Sequence, residues 1–119
     1  MVERTLNRQN IAWFVDLINR KLMVLDPPYQ RRSVWTKSYK RFFIDTIMRN
    51  YPSPSIFLNT VVEFSGTVTY YVVDGKQRLE SIMDFLNGRI ALPDDFGNTE
   101  LNGKYFEDLS SENKKKFWL

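Results

Sequence analysis

The stretch Thr67-Val68-Thr69-Tyr70-Tyr71-Val72-Val73 consists entirely of β-branched and aromatic residues and runs directly into Asp74-Gly75, after which a helical pattern begins at Lys76. Such side chains lose rotamer freedom in a helix but pack well on a pleated surface, so this stretch reads as a strand. Beyond the glycine, Leu79, Ile82, Met83 and Leu86 recur at spacings of three and four, the mark of a helix from about Lys76 to Asn87 with Gly88 as its stop. A strand that passes through one glycine into a helix excludes an all-α and an all-β fold. Ser55 to Phe64 is a second stretch rich in Ile, Phe, Leu and Val, and the Ser65-Gly66 turn between the two makes them an antiparallel hairpin.

The remaining elements fit around this unit. Asn10 to Leu22 places Ile11, Phe14, Val15, Ile18 and Leu22 on one face of an amphipathic helix. Met23-Val24-Leu25 reads as a short extended piece, and Asp26-Pro27-Pro28 forbids helix and sets a stiff, extended arm carrying Tyr29-Gln30-Arg31-Arg32. Thr36 is an N-cap for a helix to about Asn50, with Tyr39, Phe42, Phe43, Thr46 and Ile47 as its buried stripe and Lys37, Lys40 and Arg41 on the other face. Tyr51-Pro52-Ser53-Pro54 ends that helix. Arg89 to Asp108 reads as loops and short strands, and Ser110 to Leu119 as a fourth helix capped by Ser110 or Ser111. At 119 residues this is one domain, and a helix closing on Phe117-Trp118-Leu119 suggests that the domain continues beyond residue 119.

Composition narrows the chemistry. The chain has 43% hydrophobic and 26% charged residues, as an ordinary globular protein does, with no transmembrane-length apolar run and no secretory signal pattern; a cytoplasmic location is the default expectation. It contains no histidine and no cysteine. Histidine triads, cysteine nucleophiles, zinc fingers and an HNH-type nuclease centre are therefore impossible within these residues. The net charge of +3 is compatible with polyanionic ligands but does not by itself point to them.

The junction at Asp74 has the form of an anion site. The first N–H groups of a helix lack intrahelical partners and the dipole is positive there, so a phosphate gains hydrogen bonds and favourable charge. Gly75 permits the sharp turn and a close approach of ligand to backbone, Lys76 adds a cation, and Arg78 can grip phosphate oxygens bidentately. Asp74 repels phosphate, and would instead hold a divalent metal, orient a water or bind a ribose hydroxyl. An Asp in this position is equally a plain helix cap. The second element is the arm, where Arg31 and Arg32 beside Tyr29 and Trp35 combine charge with stacking surface, as suits a nucleotide or a nucleic acid strand; the same residues also serve as core plugs and surface charges in many folds.

Taken together, Pro28-Tyr29-Gln30-Arg31-Arg32, Trp35, Asn50-Tyr51-Pro52, Ile56-Phe57-Leu58 and Val73-Asp74-Gly75-Lys76-Gln77-Arg78-Leu79 resemble the N-terminal domain of GmrSD-type restriction endonucleases, in the same order. The resemblance covers nearly the whole chain. It implies an α+β fold related to ParB and sulfiredoxin, with a small mixed sheet, an antiparallel hairpin and flanking helices. It further implies binding and hydrolysis of a nucleoside triphosphate with Mg2+, licensing DNA cleavage by a C-terminal HNH-type nuclease domain or subunit in phage defence against modified DNA. Carried over by position, Asp74 and Arg78 would form the catalytic pair, Gln77 would position water or base, and Arg31 would lie near the phosphates. With the reading of the residues themselves, Gly75, Lys76, Gln30 and Tyr29 join Arg31 as expected nucleotide contacts, and Asp74 is the candidate metal ligand. The family signature is Asp-Gly-Gln-Gln-Arg; the lysine at position 76 departs from it, which implies either an added phosphate contact or a shifted specificity and supports nucleotide binding more than hydrolysis.

An alternative of a different class is a non-enzymatic, ParB-like DNA-binding module, in which Arg32, Lys37, Lys40 and Arg41 contact the phosphate backbone with a steep salt dependence. A third is an interaction module with a decayed site. The partners expected are a nucleotide and, in the full-length protein, DNA, with no membrane; a homodimer is left open.

Overall fold

The computed structural model describes residues 9–25, 35–51, 55–95, 97 and 100–119. Helix α1 (Ile11–Asn19) leads into the short strand β1 (Met23–Val24), and α2 (Lys37–Met48) precedes the hairpin β2 (Phe57–Val62) and β3 (Val68–Asp74). Helix α3 (Lys76–Leu86), a 3-10 turn at Phe106–Asp108 and α4 (Ser111–Trp118) complete the chain. This is an α+β arrangement around a three-stranded mixed sheet.

Local chemistry sets the helix ends. Asn10 Oδ1 accepts the Trp13 N–H at 2.9 Å, Thr36 Oγ1 that of Tyr39 at 3.3 Å, and Ser110 Oγ that of Asn113 at 3.2 Å, each satisfying a first-turn donor. Helix α3 stops at Gly88, whose φ of +74° lets the Arg89 N–H return to the Asp84 carbonyl at 2.8 Å. Helix α3 begins differently. Its N-cap is Gly75, with φ of +109° and no side-chain capping bond, so Asp74 does not cap it.

The sheet order is β1-β3-β2. β2 and β3 pair antiparallel, from Val62 opposite Val68 to Phe57 opposite Asp74, with an irregularity at Phe57/Leu58. β1 adds to the other edge of β3 in parallel, Met23 opposite Tyr70 and Val24 opposite Tyr71. Because β1 and β3 run the same way, both point their carboxyl ends toward the Gly75 junction. Tyr70 and Val72 turn toward the core, where Trp13 of α1 meets the Tyr70 ring edge-on at 5.4 Å.

The core holds Ile44, Val72, Leu79, Phe85, Leu92 and Phe117, all without solvent exposure. Phe85, Phe106, Phe117 and Trp118 form an aromatic cluster with centroids 5.3–6.0 Å apart, edge-on except for the tilted Phe85–Phe117 pair, which docks α4 against α3.

Two expectations are corrected. Helix α2 is rotated from its expected setting: Phe43 and Ile44 are buried, but Tyr39 and Phe42 are 64% and 65% exposed, while Lys40 and Arg41 turn inward. The reason is electrostatic. Lys40 Nζ lies 2.8 Å from Asp84 Oδ2 of α3, and Arg41 donates to the carbonyls of Ala91 at 3.1 Å and Leu92 at 2.8 Å. The second correction concerns Arg89 to Asp108, which contains no strand among its described residues. Ile90, Ala91 and Leu92 are instead buried as a pinned loop, with the Leu92 N–H donating to the Lys104 carbonyl at 2.9 Å and the Gly103 N–H to the Pro93 carbonyl at 3.0 Å. No helix among the described residues is long and apolar enough to cross a membrane.

Candidate functional site

Three elements converge on the turn after β3. β3 ends at Asp74, β2 begins opposite it at Phe57, and α3 departs from Gly75. Ser55 and Ile56, just before β2, are thereby laid across the start of α3. A Cβ built on Gly75 would stand 2.8 Å from Ile56 Cγ1 and 3.2 Å from Arg78 Nη2, and φ of +109° is one that side-chain-bearing residues rarely adopt, so any other residue here is strained.

Asp74 and Arg78 meet across this glycine, with Oδ2 and Nη2 4.0 Å apart. Their environments differ sharply: the Asp74 side chain is 68% exposed and that of Arg78 only 12%. Arg78 Nη2 donates to the Ser55 carbonyl at 3.1 Å, and its Nε is buried without a hydrogen-bond partner among the described residues. A buried donor left unmatched costs about 1–3 kcal/mol. The guanidinium is thus held firmly from one side, next to an acidic group at the surface. Lys76 lies along the first turn, its side chain 11% exposed and its Nζ 3.7 Å from Glu80.

Gln77 turns the other way around the helix. Its Oε1 accepts the backbone N–H of Trp35 at 3.0 Å, and its own carbonyl accepts from the buried Ser81 hydroxyl at 2.7 Å. Trp35 packs edge-on against Phe43 at 5.8 Å and lies 6.1 Å from Tyr39.

The junction therefore brings together Asp74, Gly75, Lys76, Gln77 and Arg78. Tyr29, Gln30, Arg31 and Arg32 lie outside the described residues. The described residues on either side of them are placed: Val24 pairs with Tyr71 in the middle of β3, and the Trp35 N–H is bound to Gln77 Oε1. Of the basic residues on α2, Lys37 is exposed, whereas Lys40 and Arg41 make the contacts with Asp84 and the 91–92 carbonyls. Arg41 also lies 3.7 Å from the exposed Asp94. Sequence reasoning missed Ser55 and the tethering of Trp35, and it singled out Ile56 only within a strand motif, not as a neighbour of Gly75. Ile56 carried a signal, as the first apolar residue of a strand; a backbone carbonyl and a backbone N–H carry none.

Among the described residues no three acidic side chains gather into a metal cage. A family model, that of the GmrSD restriction endonuclease N-terminal domain, matches residues 13–118. No curated protein and no solved structure shows a significant match.

Proposed function

Since the chain belongs to the family of GmrSD restriction endonuclease N-terminal domains, we propose that the Asp74–Arg78 junction binds and hydrolyses a nucleoside triphosphate within a restriction protein acting on modified DNA. The observation that carries the reading is the meeting of Asp74 and Arg78, 4.0 Å apart across a glycine whose replacement would be strained, at the N-terminal end of α3.

The parts divide the chemistry. The first turn of α3 offers amide N–H groups and the positive end of the helix dipole to phosphate oxygens, and Lys76, largely buried and 3.7 Å from Glu80, adds only to the local positive potential. Hydrolysis adds water across the β–γ phosphoanhydride and yields the diphosphate, inorganic phosphate and a proton. Arg78, already fixed by Ser55, would neutralise charge on the oxygens without having to reorganise. Asp74 is exposed and beside the phosphate position, where it would orient the attacking water or help hold Mg2+. A single carboxylate fits that ion, which takes its remaining ligands from phosphates and water. Bound Mg2+ would supply charge neutralisation of the phosphates.

The kinship with ParB and sulfiredoxin, an attached or separate HNH-type nuclease partner, phage defence and DNA as the eventual substrate belong to the same proposal. A non-enzymatic DNA-binding module receives less support, because Lys40 and Arg41 spend their charge within the fold. Isothermal titration with GTP, ATP, CTP and UTP in Mg2+, followed by phosphate release, tests the reading. Binding of at least one nucleotide with release that depends on Asp74 and Arg78 is expected, and absence of binding to all four would end it.

A further inference from the structure

The sheet has two edges, and they are built differently. β1 is only two residues long, and its Met23 is buried. β2, at the opposite end of the order β1-β3-β2, is six residues long, and only its Leu58 is half-buried, the other five residues being exposed. An open edge presents unpaired N–H and C=O groups, which folds guard by brevity, lysine, proline or inward-pointing charge. Phe57-Leu58-Asn59-Thr60-Val61-Val62 has no charge and no proline, and Phe64 just beyond it is fully exposed.

The ladder fixes which backbone groups face outward. The Glu63 N–H donates to the Thr67 carbonyl at 2.8 Å, toward β3, while Tyr70, opposite Thr60, donates away from β2 to the Leu22 carbonyl at 2.8 Å. By antiparallel alternation, the N–H and C=O groups of Leu58, Thr60 and Val62 point away from β3.

We propose that a second copy of the chain docks on this edge, β2 against β2, antiparallel, about a two-fold axis at Thr60. One register pairs every outward residue: Thr60 meets Thr60 of the other copy, and Leu58 meets Val62. It is self-complementary, as a two-fold contact has to be, and sets hydroxyl against hydroxyl and apolar against apolar. Phe64 then falls opposite the Ile56 that lies over Gly75 in the other copy. Charge permits the pairing, since the two Glu63 side chains stand at opposite ends of the seam, roughly 20 Å apart and beyond the screening length of about 10 Å. With Phe64 and the exposed half of Phe57 offering roughly 300 Å2, and Val61, Val62 and the backbone adding to it, each copy contributes on the order of 500 Å2. A total near 1,000 Å2 is at the low end for a specific contact, so the dimer is weak and reversible. The inference does not depend on nucleotide chemistry at the junction.

Sedimentation velocity of the whole chain over a concentration series should show a monomer–dimer equilibrium. Val62→Lys brings a charge to each end of the seam. Thr60→Pro removes the N–H at the axis, which a free edge tolerates because that group faces solvent. Each should weaken association about tenfold or more with an unchanged far-UV circular dichroism spectrum, and if the proline disturbs the hairpin, Val62→Lys alone decides. Tyr39→Ala and Phe42→Ala, on the exposed face of α2, should leave association as it is. Amide exchange maps the seam: Leu58, Thr60 and Val62 should exchange about tenfold more slowly where the dimer prevails, while Asn59 and Val61, already bonded to β3, keep their rates. A chain that stays monomeric throughout, or a dimer that Val62→Lys leaves intact, would overturn the proposal. So would protection of Leu58, Thr60 and Val62 that does not vary with concentration, because the chain would then cover its own edge.

Discussion

Lys40 Nζ and Asp84 Oδ2 lie 2.8 Å apart, and the two side chains are only 17% and 16% exposed, so an ion pair shielded from solvent ties α2 to α3. Asp84 is shared, because Arg89 approaches its other oxygen at 3.2 Å from a side chain that is 71% exposed. Removing Lys40 leaves a largely buried carboxylate with one solvent-exposed partner. Lys40→Ala should therefore lower unfolding stability by about 1–3 kcal/mol, less than for a buried pair with no third member. Urea denaturation measures this, and Lys40→Ala/Asp84→Ala should cost less than the sum of the single changes.

The rotation of α2 makes a second prediction. Tyr39 and Phe42 are mostly exposed, whereas Phe43 is 9% exposed and Ile44 fully buried. Tyr39→Ala and Phe42→Ala should each change stability by no more than about 0.5 kcal/mol, as surface substitutions do. Phe43→Ala should cost about 3–5 kcal/mol and Ile44→Ala about 2–5 kcal/mol. Thermal or chemical denaturation of the four variants separates the two sets.

The same helix shows what the sequence could and could not reveal. Its extent and its Thr36 cap were readable, because capping and helical periodicity are local. Which face turns inward was not, since Asp84 and the carbonyls of Ala91 and Leu92 reward burial of Lys40 and Arg41 from positions that are remote in sequence. Hydrophobicity alone favoured Tyr39 and Phe42. The hairpin and the Gly75 junction were legible for the opposite reason: β-branched runs, a turn pair and a glycine between strand and helix are all local signals. The parallel pairing of Met23 and Val24 with β3 is only two residues long, too short to carry a pattern. Ile90 to Leu92 is apolar because it is a buried loop, a state that a short apolar run does not distinguish from a strand.

Gly75 offers a sharper test of the junction. An alanine there meets Ile56 Cγ1 at 2.8 Å in a backbone conformation with φ of +109°. Gly75→Ala should lower stability by about 1–3 kcal/mol through strain at that backbone conformation, to which the Ile56 contact adds. It should weaken nucleotide binding as well, whereas Gly66→Ala at the open hairpin turn, where nothing stands within 4 Å of the added carbon, pays for its φ of +86° alone. Melting temperatures and titrations on the two variants make the comparison.

Asp74 and Arg78 should separate by function. Asp74→Asn removes an exposed negative charge beside the phosphate position, so nucleotide binding in the absence of Mg2+ should hold or strengthen while hydrolysis falls by about 100-fold or more. Arg78→Ala loses the anion contact together with the bond to the Ser55 carbonyl, and should abolish both binding and turnover with some loss of stability. Steady-state phosphate release and equilibrium titration distinguish the two patterns.

A backbone-amide NMR titration with a nucleoside triphosphate and Mg2+ locates the ligand without depending on any substitution. The largest saturable shifts should fall on Asp74, Gly75, Lys76, Gln77 and Arg78, with Trp35 moving in step. Shifts centred on Lys37 to Phe42 of α2, or none at any amide from 74 to 78, would contradict the assignment of this junction as the nucleotide site.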